Sequence, residues 1–127
     1  MVKEIVQGPG LPATIGPYSQ AVRAAGLLFV SGQPGIDPAT GELAGPSLDA
    51  QAQQAFANLA VVLRAGGSRP DLVVSTTVLV ADASEFPELN RQFAAFFPVD
   101  PPTRMVMQVT LPLGLMISIG CTAVLAD

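Results

Sequence analysis

The 127 residues contain no histidine and no tryptophan, a single cysteine and a single tyrosine, and 6 Lys plus Arg against 10 Asp plus Glu. Each scarcity removes a class of chemistry. Without His, neither a Ser-His-Asp nor a Cys-His hydrolase site can be assembled. One Cys forbids an intrachain disulfide, and one Cys without His leaves no cluster of soft ligands for zinc, copper or haem, so no such metal is expected. A formal charge of −4 argues against nucleic acid as a partner, because gripping a phosphate backbone takes a concentrated basic surface. Long apolar runs are also missing. The longest mainly apolar stretch, 111–126, is interrupted by Pro112, Gly114, Ser118, Gly120 and Thr122 and falls short of the roughly 20 residues that span a bilayer. Residues 1–10 carry Lys3 and Glu4 with no apolar segment behind them. No secretory signal is therefore expected, and the expected location is the reducing cytoplasm.

What is abundant is apolar. Such residues make up 50% of the chain and charged ones only 13%, where a typical soluble domain carries about 25% charged. A chain of this length forms one domain, residues 1–127, and buries about two-thirds of its extended-chain surface. The surplus apolar surface still needs a cover. With no membrane span available, further copies of the same chain are expected to provide it.

Twelve Gly and twelve Pro cut the sequence into short elements. Ala21 to Ser31 reads as two strands around Gly26, followed by a turn-rich loop from Gln33 to Gly45. From Leu48 the apolar spacing becomes helical, through Ala52, Ala55, Phe56, Leu59, Val62 and Leu63, with Ser47 as N-cap and Gly66-Gly67 as stop. Val73 to Val80 is β-branched and reads as a mostly buried strand. A second helix follows, capped by Ser84, with Pro87 in its first turn, an apolar face of Phe86, Leu89, Phe93, Phe96 and Phe97, and an end at Pro98. Arg104 to Val109 and Leu115 to Leu125 complete a β-β-α-β-α-β-β order. The fold class is α+β, with two helices packed against one mixed sheet.

Alternation sorts the last strands into faces. Leu115, Ile117, Ile119, Cys121, Ala123 and Leu125 form an apolar face, whereas Met116, Ser118, Gly120 and Thr122 form a second, small and mildly polar one. Arg104, Val106 and Gln108 share a side of the preceding strand. A ligand is expected in a groove walled by the short side chains, with Arg104 looking along it.

Three segments, residues 15–21 (IGPYSQA), 29–33 (FVSGQ) and 102–104 (PTR) followed by Leu111-Pro112 and a closing strand, resemble the RidA/YjgF family, also called endoribonuclease L-PSP. The resemblance runs from end to end and includes Asn90 and the Phe96-Phe97-Pro98 helix exit. It implies a chorismate-mutase-like fold, with two helices on one face of a mixed sheet, and a homotrimer with ligand clefts between subunits. It also implies 2-iminobutanoate/2-iminopropanoate deaminase-like activity, the hydrolysis of reactive enamine and imine acids to 2-keto acids and ammonia without a cofactor.

Chemistry gives each matched residue a role. Arg104 is the expected catalytic anchor, since a guanidinium can hold a planar carboxylate by two parallel hydrogen bonds; by itself an arginine can equally snorkel or pair with a surface acid. Tyr18 can cover the ligand with its ring or serve as half-buried packing. Ser31 and Gly32 are expected where a strand leaves the sheet, a place where backbone can approach a ligand closely. Asn90 is read either as a neighbour of the site or as a solvent-facing helix residue. The resemblance adds Val106 and Ser118 to the expected binding set.

Position 120 departs from the family pattern. Active deaminases carry a Glu there, associated with the attacking water, and this chain has Gly120. Glycine cannot exchange a proton, and general acid-base help is worth about two to four powers of ten in rate. Gly120 motivates a second function, a trimeric binder of small carboxylates without turnover, and the resemblance implies a third, translation inhibition or RNA cleavage. The latter sits badly with the missing His and the negative charge.

Overall fold

The computed structural model describes residues 2–127. Six strands, β1 (Glu4–Ile5), β2 (Ala21–Ala24), β3 (Leu27–Pro34), β4 (Val73–Val80), β5 (Thr103–Gln108) and β6 (Ile117–Val124), and two helices, α1 (Leu48–Ala65) and α2 (Phe86–Phe96), account for its regular structure. The strands form one sheet in the order β1-β2-β3-β6-β4-β5. Every neighbouring pair is antiparallel except β4 and β5, which run parallel. A parallel pair cannot be closed by a tight turn, and α2 lies in the crossover between them.

Local chemistry explains the elements. Ser47 Oγ accepts the Ala50 N–H at 3.1 Å and starts α1. Leu48, Ala52, Ala55, Phe56, Leu59, Val62 and Leu63 of α1 are buried, as their spacing predicts. The Gly66 N–H returns to the Val62 carbonyl at 2.9 Å and closes the helix. Ala25 and Gly26 both have positive φ, the twist that a two-residue hairpin between β2 and β3 requires. In β6 the residues Ile117, Ile119, Cys121 and Ala123 are buried in strict alternation. They face the helices, and Phe56, Phe93, Phe96 and Phe97 form an aromatic cluster between α1 and α2 with ring centroids 4.8–6.4 Å apart.

Four sequence expectations change. β1, a two-residue edge strand with both residues exposed, carries no periodicity and was not expected. Ser84 does not cap α2. Asp82 instead accepts from the Ser84 N–H at 2.9 Å and the Ser84 hydroxyl at 2.7 Å, holding a single 3₁₀ turn ahead of the helix. A carboxylate is the stronger acceptor, and it engages the hydroxyl that would otherwise cap. β4 is only half buried, because one of its faces stays open. Ser31 and Gly32 do not mark a strand exit either. β3 runs on to Pro34, and the register between β3 and β6 shifts between Val30 and Gln33, so the pair sits in a β-bulge.

Candidate functional site

The sheet keeps the expected site residues in two groups on opposite faces. In the parallel β4–β5 register Arg104 lies beside Thr76 and Val106 beside Val78, both of them buried on the helix side. In the antiparallel β4–β6 register Gly120 lies beside Thr77 and Ser118 beside Leu79, the alternate positions. Since successive strand residues point to opposite faces, Arg104 and Val106 stand on the helix side while Ser118 and Gly120 stand on the other. The arginine therefore does not look along the groove of its own chain, contrary to the sequence expectation.

On the helix side Arg104 is shaped for an anion. Its Nη1 donates to Asn90 Oδ1 at 2.7 Å. The guanidinium carbon stands 5.0 Å from the Phe93 ring centroid and 5.2 Å from that of Phe86, within cation–π range. Arg23, Arg69 and Arg91 each pair with a carboxylate, whereas among the described residues none lies within ion-pair distance of Arg104. The side chain is exposed and its charge is not neutralised. Asn90 orients the fork from α2 and leaves further N–H donors free. Val106, half-buried, packs against the core on the same side.

On the open face Ser19, Ser31, Ser75, Thr77, Gly120 and Thr122 line a groove of about 400 Å³ with Phe29 along one wall. Ser118 adjoins it: a Cβ on Gly32 would run into the Ser118 hydroxyl, which would have to turn away to make room. The wall is fastened from behind. Ser31 Oγ donates to the Ser19 carbonyl at 2.6 Å, and the Ser31 carbonyl accepts from Gln33 Nε2 at 3.0 Å. Gln33 Nε2 also donates to Gln20 Oε1 at 2.7 Å, and Gln20 Nε2 to the Pro12 carbonyl at 2.8 Å. Two buried amides thus tie the bulge to the loop that carries Tyr18. That tyrosine is 40% exposed, and its hydroxyl accepts the Ile15 N–H at 3.3 Å. It lines a separate, smaller cavity of about 100 Å³ with Gln20, Gln33 and Asn58.

Gln20, Gln33, Ser75, Thr77, Phe86 and Phe93 were not singled out as site residues from the sequence. For Ser75 and Thr77 the signal was present, since they alternate with Thr76 and Val78 in a strand otherwise read as buried. Cys121 lines the groove only from the core side; burial pushes its thiol up to about 12, which leaves no thiolate nucleophile near neutral pH. Among the described residues no group of three or more His, Cys, Asp or Glu could hold a metal ion, and no helix is long and apolar enough to cross a membrane.

A family model described as Endoribonuclease L-PSP matches residues 10–125. The chain belongs to the endoribonuclease L-PSP (RidA/YjgF) family. Relatives within it include the chloroplastic Reactive Intermediate Deaminase A of Arabidopsis thaliana, 40% identical over 97% of this chain and 66% of the plant protein. The 2-iminobutanoate/2-iminopropanoate deaminase of Mus musculus is 38% identical over 98% of this chain and 93% of the mouse protein. Among solved structures, RidA from the Antarctic bacterium Psychrobacter sp. PAMC 21119 superposes with a TM-score of 0.91 at 36% identity, over 96% of this chain and 99% of the bacterial one. The mixed sheet with two helices is thus the family fold.

Proposed function

We propose that this chain, as one domain of residues 1–127, hydrolyses small reactive 2-imino acids to 2-keto acids and ammonia. Three copies would form the clefts, each joining the Arg104 side of one copy to the open groove of the next. The observation that carries this reading is the unneutralised Arg104 guanidinium held by Asn90 and two phenylalanine rings. Separation of the two halves within one chain calls for a second copy to complete the site, and the names of the plant and mouse relatives support the chemistry. An unpaired Cys fits a reducing compartment, and we place the activity in the cytoplasm.

The residues suggest a division of labour. Arg104 grips the carboxylate, and Asn90 fixes the guanidinium plane. Ser31 and Gly32 shape the opposite wall, to which Gln20 and Gln33 tie the loop of Tyr18, Val106 packs behind Arg104, and Ser118 flanks the floor. Water adds to C2, the imine nitrogen takes up protons, and the C–N bond breaks to release ammonia and the keto acid. With Gly120 at the floor no side chain takes the proton there. Positioning against an already electrophilic carbon supplies the acceleration, with water held by groove hydroxyls or backbone carbonyls. Following keto-acid formation after the chain is added to an amino-acid dehydratase or oxidase reaction tests this directly. Acceleration that disappears in Arg104→Ala is expected; none at high protein concentration would overturn the reading.

Gly120 favours a second reading, a binder of small carboxylates without turnover. In that case 2-ketobutyrate raises the melting temperature in an Arg104-dependent way while no imine is hydrolysed. RNA cleavage is not favoured, for want of His and of basic surface, and clean Arg104-dependent cleavage by highly purified protein would reverse that ranking.

A further inference from the structure

The open groove carries more hydroxyls than the holding of one water requires. Ser75 lies opposite Thr122 and Thr77 opposite Gly120 across β4 and β6, so alternation sets their side chains on one face beside Ser19 and Ser31. Thr76 and Thr103, and Ser31 within the groove, spend their hydroxyls on backbone carbonyls at 2.8, 3.2 and 2.6 Å, unlike Ser75 and Thr77. No carboxylate, ammonium or guanidinium of this chain lines the groove. Gly120 adds no side chain to the lining: a Cβ there would stand 3.2 Å from the Val30 carbonyl oxygen and 3.5 Å from the Gly32 nitrogen of β3.

Hydroxyls without charge discriminate in both directions. An apolar substituent would displace their water and return no hydrogen bond, and a charged one would lose hydration with no counter-charge to replace it. Sites built to hydrogen-bond a substrate reject the isostere that lacks the matching group, because their own polar groups are left unpaired.

We infer that the groove selects 2-imino acids bearing a neutral polar side chain, a hydroxyl or a carboxamide, over apolar ones of equal size. This rests on the proposed hydrolysis and names its substrate class. The imino acids of asparagine and leucine form a nearly isosteric pair, generated in situ by an L-amino-acid oxidase and read by loss of semicarbazide trapping. A kcat/KM at least about tenfold higher for the carboxamide member is expected, with the ratio collapsing toward unity in the Ser75→Ala, Thr77→Val double variant. The wild-type ratio decides by itself should that variant fail to fold. Equal rates, or preference for the leucine-derived imine, overturn the inference and leave the hydrolysis standing. If neither imine is hydrolysed, the hydrolysis falls instead, and the melting shifts given by the two corresponding 2-keto acids decide the selectivity: a larger shift with the carboxamide supports it, an equal or smaller one overturns it.

Discussion

In the proposed reaction Arg104 would work through its shape as well as its charge. A planar fork can hold a carboxylate by two bonds while Asn90 takes a third donor, and an ammonium cannot reproduce that arrangement. Arg104→Lys is therefore expected to lower kcat/KM by about tenfold or more, mainly through KM, with folding intact by circular dichroism. Unchanged kinetics would show that the fork is not used. Gly120 sets a complementary test. Restoring an acid with Gly120→Glu is expected to raise imine hydrolysis by about a hundredfold, in line with general acid-base catalysis. The backbone must yield slightly, because the new Cβ meets the Val30 carbonyl at 3.2 Å. An unchanged or lower rate in a folded variant would mean that the groove is built for another ligand.

The two helices are joined by polar contacts as well as by their aromatic cluster. Arg91 on α2 reaches Asp49 on α1 at 3.2 Å and Glu88 on its own helix at 2.5 Å. The Arg91 hydrogen bond is the largest influence on Glu88 and holds its carboxyl at about 2. A depressed carboxylate contributes stability above its ordinary value and loses it as pH falls toward the folded value. The stability difference between wild type and Glu88→Gln, followed by thermal unfolding, should favour wild type from neutral pH down to about pH 4.5 and vanish as pH approaches 2. A pH-independent difference would assign the effect to packing instead. The effect is small, because the group is exposed and screened. At the same scale, the Ser31-Gly32 bulge hides the end of β3 from the sequence: the β-branched and apolar signal ends at Val30, while pairing continues through Gln33 and Pro34, the buried Gln33 amide donating to Gln20 and to the Ser31 carbonyl.

For the whole molecule the open sheet face is decisive. Phe29, Met105 and Met107 remain 45%, 59% and 44% exposed, and pairing puts Phe29 beside Thr122 and Met105 beside Thr77 on that face. Exposed apolar side chains grouped on one face are a common mark of an interaction surface, and the apolar excess of the sequence agrees with the proposed assembly. Light scattering is expected to give three times the mass of one chain, and Phe29→Glu with Met105→Glu to give monomers with no imine hydrolysis. A wild-type monomer that retains full hydrolysis would sink the shared cleft.

Composition alone removed His-dependent catalysis, and residue periodicity delivered α1, the aromatic face of α2 and the alternating faces of β6. These are local properties: side-chain chemistry is fixed by residue type, and the periods of helix and strand depend only on backbone geometry. Which face of the sheet the helices would cover was a different kind of question. Alternation shows that Arg104 and Val106 share a side but not which side, and nothing within β5 distinguishes the two. The crossover between parallel β4 and β5 brings α2 over Arg104, and that packing parts the arginine from the groove at Gly120. Tertiary structure, through long-range burial of Phe93 and its neighbours, decided that Arg104 and Gly120 stand on opposite faces of the sheet.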